Sequence, residues 1–204
     1  MGRTRLCQVV ALAVLVGACD QVSEHGAQPS EAPEIAAEPT AAAPSELARA
    51  EQAARSLGKG LKLRLTQAMG QGGPSEAVRV CSTEAREITQ RIRRETGVRV
   101  GRSSLRLRNP DNAGPEWVEA WLREHGERPA AGLSPVREVQ AGTARFLAPI
   151  EVEGLCVTCH GAAGSLPTEV VQVLRDRYPQ DRAVGYAPGD LRGALWAEAP
   201  VPGG

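Results

Sequence analysis

Apolar residues recur along this chain with two different periods, and the switch between them divides it. Leu47, Ala50, Ala54, Leu57, Leu61, Leu65 and Ala68 return every three or four positions, the spacing of one face of an α-helix. The run "GQGGP" at 70–74 stops that helix. Pro74 and Ser75 open another, because proline is tolerated in a first turn. Its stripe is Val78, Cys81, Ala85, Ile88 and Ile92, and Gly97 closes it. Cys81 therefore faces the core. The period then drops to two. In "VRVGRSSLRLRN", Arg102, Ser104, Arg106 and Arg108 alternate with Ser103, Leu105 and Leu107, which predicts a strand.

"NPDNAGPE" is turn chemistry and leads into a short helix through Trp117, Trp121 and Leu122. "SPVREVQ" and "TARFLAPIEVE" predict a strand pair across Ala141-Gly142, and a short helix follows at about 167–177. "AVGYAPGDLRGALWAE" reads as a strand, a Pro-Gly-Asp turn and a closing strand. Two long helices followed by antiparallel strands with small helices give an α+β domain over residues 46–200.

The chain ahead of this domain has a different character. "MGRTR" places Arg3 and Arg5 before an apolar run from Leu6 to Ala18. That run is shorter than the roughly twenty residues needed to span a bilayer, and it reads as an export signal over residues 1–19. Its end, "LVGAC", resembles the lipobox of bacterial lipoproteins, in which the cysteine, here Cys19, takes the lipid. A plain secretory signal cleaved nearby is the alternative. Asp20 resembles the signal that retains some lipoproteins at the inner membrane. The mature protein is expected outside the cytoplasm, facing the periplasm, with a membrane as its partner through the lipid. Residues 20–45, rich in Ala, Pro, Glu and Ser, cannot bury enough apolar surface to fold and read as a tether. His25 lies within it.

Charge and composition narrow the field. The formal net charge is zero and there are no long single-sign runs, so nothing points to nucleic acid. Aromatics make up 3% of the chain, a thin supply of bulk that a buried flat cofactor would supplement.

The cysteines carry the chemistry. Of five, Cys7 leaves with the signal, Cys19 takes lipid, and Cys156 and Cys159 fall in "CVTCH" at 156–160. In this pattern two thiols add to the vinyl groups on one edge of a porphyrin and the adjoining histidine, His160, lies under the iron. Tetrahedral zinc would want four ligands, commonly with a second cysteine pair, and none exists. A redox-active pair leaves His160 unexplained. One haem c is expected, with Cys156 and Cys159 as thioethers and His160 as an iron ligand.

The iron's other face is less obvious. The commonest small cytochromes c carry the motif early and a methionine ligand downstream, but here 44 residues follow His160 and none is methionine. Cytochrome c′ carries the motif late in a helical bundle, which strand-like segments on both sides argue against. Three side chains compete. Met69 continues the first helical stripe and would serve equally as core filler. His125 in "LREHGERP" sits at a polar helix end. Cys81 would also serve as a small buried hydrophobe. The residues alone leave the choice open.

Four blocks in order, "VCSTEAREI", "VGRSSLRLRNPDNAGPEWVEAWL", "PIEVEGLCVTCHG" and "GYAPGDLRGALW", resemble a family of c-type haem domains with a PAS-like fold. Members occur alone and as the extracytoplasmic sensor part of signalling proteins. "NPDNAGPEW" is one residue longer than the family's turn. The resemblance implies that Cys81, in "RVCSTEA", binds the iron opposite His160. Anionic sulfur stabilises Fe(III) over Fe(II), so it implies a low-spin haem of negative potential. Its sulfur would let go on reduction and open a position for CO, NO or another small gaseous ligand. Arg102, Arg106 and Arg108 are candidate partners for haem propionates, or else a solvated strand face.

The function expected is that of an exported, lipid-anchored redox or small-ligand sensor acting through a redox or signalling protein partner. The alternative is a membrane-tethered electron-transfer cytochrome. A peroxidase would need an acid–base group above the iron. His125 is the free histidine of the folded region and is poorly placed, so enzymatic activity is not expected.

Overall fold

A computed structural model describes residues 43–126 and 128–203. The signal at 1–19, Cys19, Asp20 and nearly all of the tether lie outside these residues. The two predicted helices form one element, α1 (Ala43–Thr96), which begins inside the expected tether and breaks at Gly72 and Gly73. Gly73 has φ 71° and ψ −165°, a backbone state that a side chain would strain. Pro74 starts the second limb. The limbs fold back on each other. Arg64 grips Glu84 in a two-pronged ion pair at 2.6 and 2.8 Å, and Gly60 lies against Ile88.

The remaining elements are β1 (Arg99–Ser103), α2 (Glu116–His125), β2 (Val136–Gln140), β3 (Thr143–Glu151), α3 (Val157–His160), α4 (Thr168–Arg177) and β4 (Leu191–Pro200). The strands form one antiparallel sheet in the order β1-β4-β3-β2. β2 and β3 meet at Ala141 (φ 47°) and Gly142 (φ 67°), as the sequence predicted. Two left-handed residues in succession match the turn to the twist of the strands it joins.

The pleat sorts the core onto two faces. Val100, Ala144, Phe146, Ala197 and Ala199 pack against Ala50, Ala53, Ala54, Leu57, Ile88 and Ile92 of α1. Leu147, Ala194 and Trp196, on the opposite face, meet Val118 and Leu122 of α2. β4 is paired on both edges and covered on both faces, which is why eight of its ten residues pack against other side chains in these two clusters or are otherwise buried. The first of these clusters also answers the scarcity of aromatics. Its alanines let helix and sheet approach closely, and a side chain at Gly58 would collide with Leu195. No cofactor bulk is needed to close it.

Two strand predictions need correction. β1 stops at Ser103, so the alternation through Arg108 is not a strand. The Ser104 hydroxyl accepts the Arg106 N–H at 3.2 Å, a local turn that lifts the chain off the sheet. The expected strand before β4 is also missing. Residues 183–186 bond instead to the CxxCH segment, Gly185 N–H to the Gly161 carbonyl at 2.7 Å and Tyr186 N–H to the His160 carbonyl at 2.9 Å. They act as a strap across the motif. Among the described residues, no helix is long and apolar enough to cross a membrane.

Candidate functional site

Both limbs of α1, the loop beyond β1, the end of β3 and α3 line one cleft of about 270 Å³. Cys81, Cys156, Cys159 and His160 all line it. Four residues separated by up to 79 positions are thus brought to one space.

Local structure fixes each of them. Residues 154–156 form a 3-10 turn running into α3. Glu153 caps it and is tied to α1 by an ion pair with Lys62 at 2.7 Å. Cys156 and Val157 rest on Val152, Ala183 and Tyr186, whereas Cys159 packs on Val78 and the α4 residues Val170, Val173 and Leu174. Separate clusters therefore hold the two thiols. Gly161 follows because a Cβ there would stand 2.5 Å from the Val157 carbonyl oxygen.

His160 is oriented by its own backbone strap. Nδ1 lies 2.7 Å from the Ala183 carbonyl, which can only accept, so Nδ1 carries the proton and Nε2 keeps its lone pair. Burial, with Arg108 and Arg192 nearby, pushes its pKa down to about 2. A neutral imidazole fixed through Nδ1–H is the form that ligates a metal through Nε2. Tyr186 meets the ring edge-on at 6.2 Å.

Cys81 is half-buried, and burial pushes its thiol pKa up. Arg102, Arg64 and Arg108 pull the other way. Arg102 lies two residues beyond Val100 on the α1 face of β1 and lines the cleft. Among the described residues its guanidinium has no hydrogen bond or ion pair, and burial lowers its pKa. Arg192 on β4 also lines the cleft. Its Nη1 donates to Ser104 Oγ at 2.7 Å and to the Arg106 carbonyl at 3.3 Å, and burial lowers its pKa to about 10. Neither guanidinium has a carboxylate partner among the described residues. Arg108 is different. It pairs with Asp181 at 3.0 Å and donates to the Cys159 carbonyl, bracing the motif from behind.

Of the three arginines singled out from sequence, Arg102 and Arg108 line the cleft and Arg106 does not. Arg106 donates to the Val184 carbonyl and stacks over Tyr186 at 3.7 Å. Met69 lines the cleft alongside Leu65. His125 does not: Nδ1 lies 2.9 Å from the Trp121 carbonyl and its ring stacks on Trp121 at 4.6 Å. Arg192, Tyr186 and the Ala183 carbonyl were not found from sequence. An arginine inside the otherwise apolar "LRGALWA" was the available signal.

The donor set can be tested for fit. Among the described residues, no three His, Cys, Asp or Glu side chains close together tightly enough to hold a bare metal ion. The cleft instead holds two thiols and an imidazole on one wall and a third thiol on another. Arg102 and Arg192, which have no carboxylate partner among the described residues, and apolar side chains such as Leu65, Met69, Val78 and Leu107 line much of the rest, with Glu151 as the acid on the lining. That suits a flat, apolar, anionic group with its own metal better than an ion gripped by the protein alone.

A helical hairpin on one face of a four-stranded antiparallel sheet, with a Cys-x-x-Cys-His turn strapped beside it, defines an α+β domain of the PAS-like kind. The chain belongs to the Tll0287-like family, whose model matches residues 21–200. The crystal structure of the cyanobacterial haem protein Tll0287 shares the fold with a TM-score of 0.60 and 24% sequence identity. The match covers 77% of this chain and 96% of that one. No curated protein matches the chain.

Proposed function

We propose that this protein binds one haem c, attached through Cys156 and Cys159 and held between His160 and Cys81, and serves as a redox or small-ligand sensor. The observation that carries the reading is the convergence of these four side chains on one cleft, with His160 already fixed through Nδ1. Tll0287, which shares the fold, is a haem protein, and that supports the choice of cofactor. Bound there, haem supplies a one-electron iron couple and a coordination position that a small molecule can take.

The chain's own residues do the rest. The strap at 183–186 and the Arg108–Asp181 pair hold His160 in place in either oxidation state. Arg102 and Arg192 supply positive charge for propionate oxygens. Cys81 stands on a different element, where it can release without disturbing the motif, and that favours a sensor over a carrier. With residues 1–19 read as an export signal and Cys19 as its lipidated cysteine, the protein would sit at a membrane surface facing the periplasm and signal through a protein partner.

The test is absorption spectroscopy of the full chain matured in a host that assembles c-type cytochromes. The expected result is a covalently bound haem that takes up CO only when reduced. A colourless protein would overturn the haem assignment, and a red protein that never binds CO would replace the sensor with an electron carrier.

A further inference from the structure

A second cavity, of about 390 Å³, shares a wall with the cleft, since Ser104 and Arg192 line both. Arg106, Arg128 and Arg192 face it together with Leu105, Leu122 and Leu191. Among the described residues, none of the three guanidinia forms an ion pair. Like charges around one cavity repel, and among the described residues no carboxylate pairs directly with any of the three, although Asp181 attracts Arg192 from farther off. Asp190 is the one acid on the lining, and its Oδ2 accepts the Ala187 N–H at 2.8 Å.

The arginines are held in place by other contacts. The Arg106 guanidinium carbon sits over the Tyr186 ring at 3.7 Å, with its Nη1 anchored on the Val184 carbonyl at 2.8 Å. Arg192 sits at 5.2 Å from the same ring, anchored on Ser104 Oγ. Each guanidinium spends Nη1 on the protein and keeps its other donors. Two pre-oriented forks beside an apolar wall match an oxyanion with a hydrocarbon body.

We propose that this cavity binds a small organic monocarboxylate, its carboxylate held by Arg106 and Arg192 and its apolar body against Leu105, Leu122 and Leu191. The carboxylate of Asp190 repels a second negative charge, which disfavours phosphate and dicarboxylates. Arg192 lines both spaces, so the proposal rests on its keeping a free donor for this cavity when the cleft is filled.

Isothermal titration of the full chain, haem-loaded, with benzoate, butyrate, inorganic phosphate and butylamine tests this. Saturable binding of benzoate or butyrate is expected, with phosphate and the amine silent. Arg106→Gln, an exposed position whose loss leaves the core intact, should weaken it about tenfold or more, the scale of one lost charge-assisted hydrogen bond. Arg192→Gln should do the same. Arg128→Gln, at the exposed rim, should act mainly through charge, and its effect should shrink with added salt. Four results would each overturn the proposal: no saturation by either monocarboxylate, phosphate binding as tightly, affinity unchanged in Arg106→Gln, or binding only to haem-free protein. The last would mean that the cofactor's own propionate fills the space.

Discussion

Arg108 should be among the most sensitive positions outside the proposed haem-binding residues. Its side chain is 13% exposed and that of Asp181 11%, so the pair is nearly removed from water. Arg108 bonds to Asp181, to the Cys159 carbonyl and to the Ala183 carbonyl at 3.4 Å. Asp181 in turn accepts the Ala183 N–H at 2.7 Å. Replacing Arg108 with methionine keeps most of the bulk but leaves a buried carboxylate with one partner and strips the Cys159 carbonyl of its donor.

Breaking a buried pair from one side costs about 3–5 kcal/mol. The residual exposure places this case near the lower end, about 3 kcal/mol, or a fall in Tm of about 6–12 °C for a domain of this size. Arg108→Lys keeps the charge but cannot fork between carboxylate and carbonyl, so it should recover only part of the loss. Urea unfolding followed by tryptophan fluorescence, on Arg108→Met, Asp181→Asn and the double variant, gives the cycle, with a coupling of about 1–3 kcal/mol expected. Additive single effects, or a loss under about 1 kcal/mol for Arg108→Met, would refute the view that this pair braces the motif.

Three further outcomes are expected. Ala141 sits at φ 47° in the β2–β3 turn, so Ala141→Asn should raise stability by about 0.5–1 kcal/mol, read from the shift in urea midpoint. A Cβ on Gly101 would lie 2.6 Å from the Trp196 ring, so Gly101→Val should displace the ring, cost about 1–3 kcal/mol and shift the tryptophan emission. Hydrogen bonds from Arg137 and then Arg55 lower the Glu51 pKa from 4.5 to about 2. A carboxylate depressed in the folded state stabilises fully above its unfolded pKa and loses that contribution as pH falls from about 4.5 towards 2. Because the group is solvent-screened, Glu51→Gln should cost no more than about 1 kcal/mol at pH 7. The gap between variant and parent should close as the pH approaches 2 in thermal melts.

Much of this was legible in sequence, and the failures have physical causes. The stripe through Cys81, the break at Gly72-Gly73 and the hairpin at Ala141-Gly142 follow from periodicity and turn chemistry, which are local. The strand predicted through Arg108 failed because alternation also arises where side chains point alternately to two different partners. Ser104 and Arg108 turn inward to bonds made with residues near 181–192, which no local pattern reveals. The strap at 183–186 was misread for the same reason: extended backbone pairs with whatever is nearest, and here that is the CxxCH turn. Cys156, Cys159 and His160 announce themselves by spacing. Spacing alone left Cys81, Met69 and His125 open and the family resemblance pointed to Cys81; the folded chain puts Cys81 and Met69 on the cleft and His125 away from it.

The ferric EPR spectrum of the haem-loaded protein, beside that of Cys81→Ala, tests most directly whether sulfur and imidazole face each other across this cleft. The parent should give a low-spin signal of thiolate character, and the variant should lose it for a high-spin signal or for a low-spin signal without that character. A variant spectrum superimposable on the parent's would remove Cys81 from the site and leave Met69, on the same wall, as the residue to replace next.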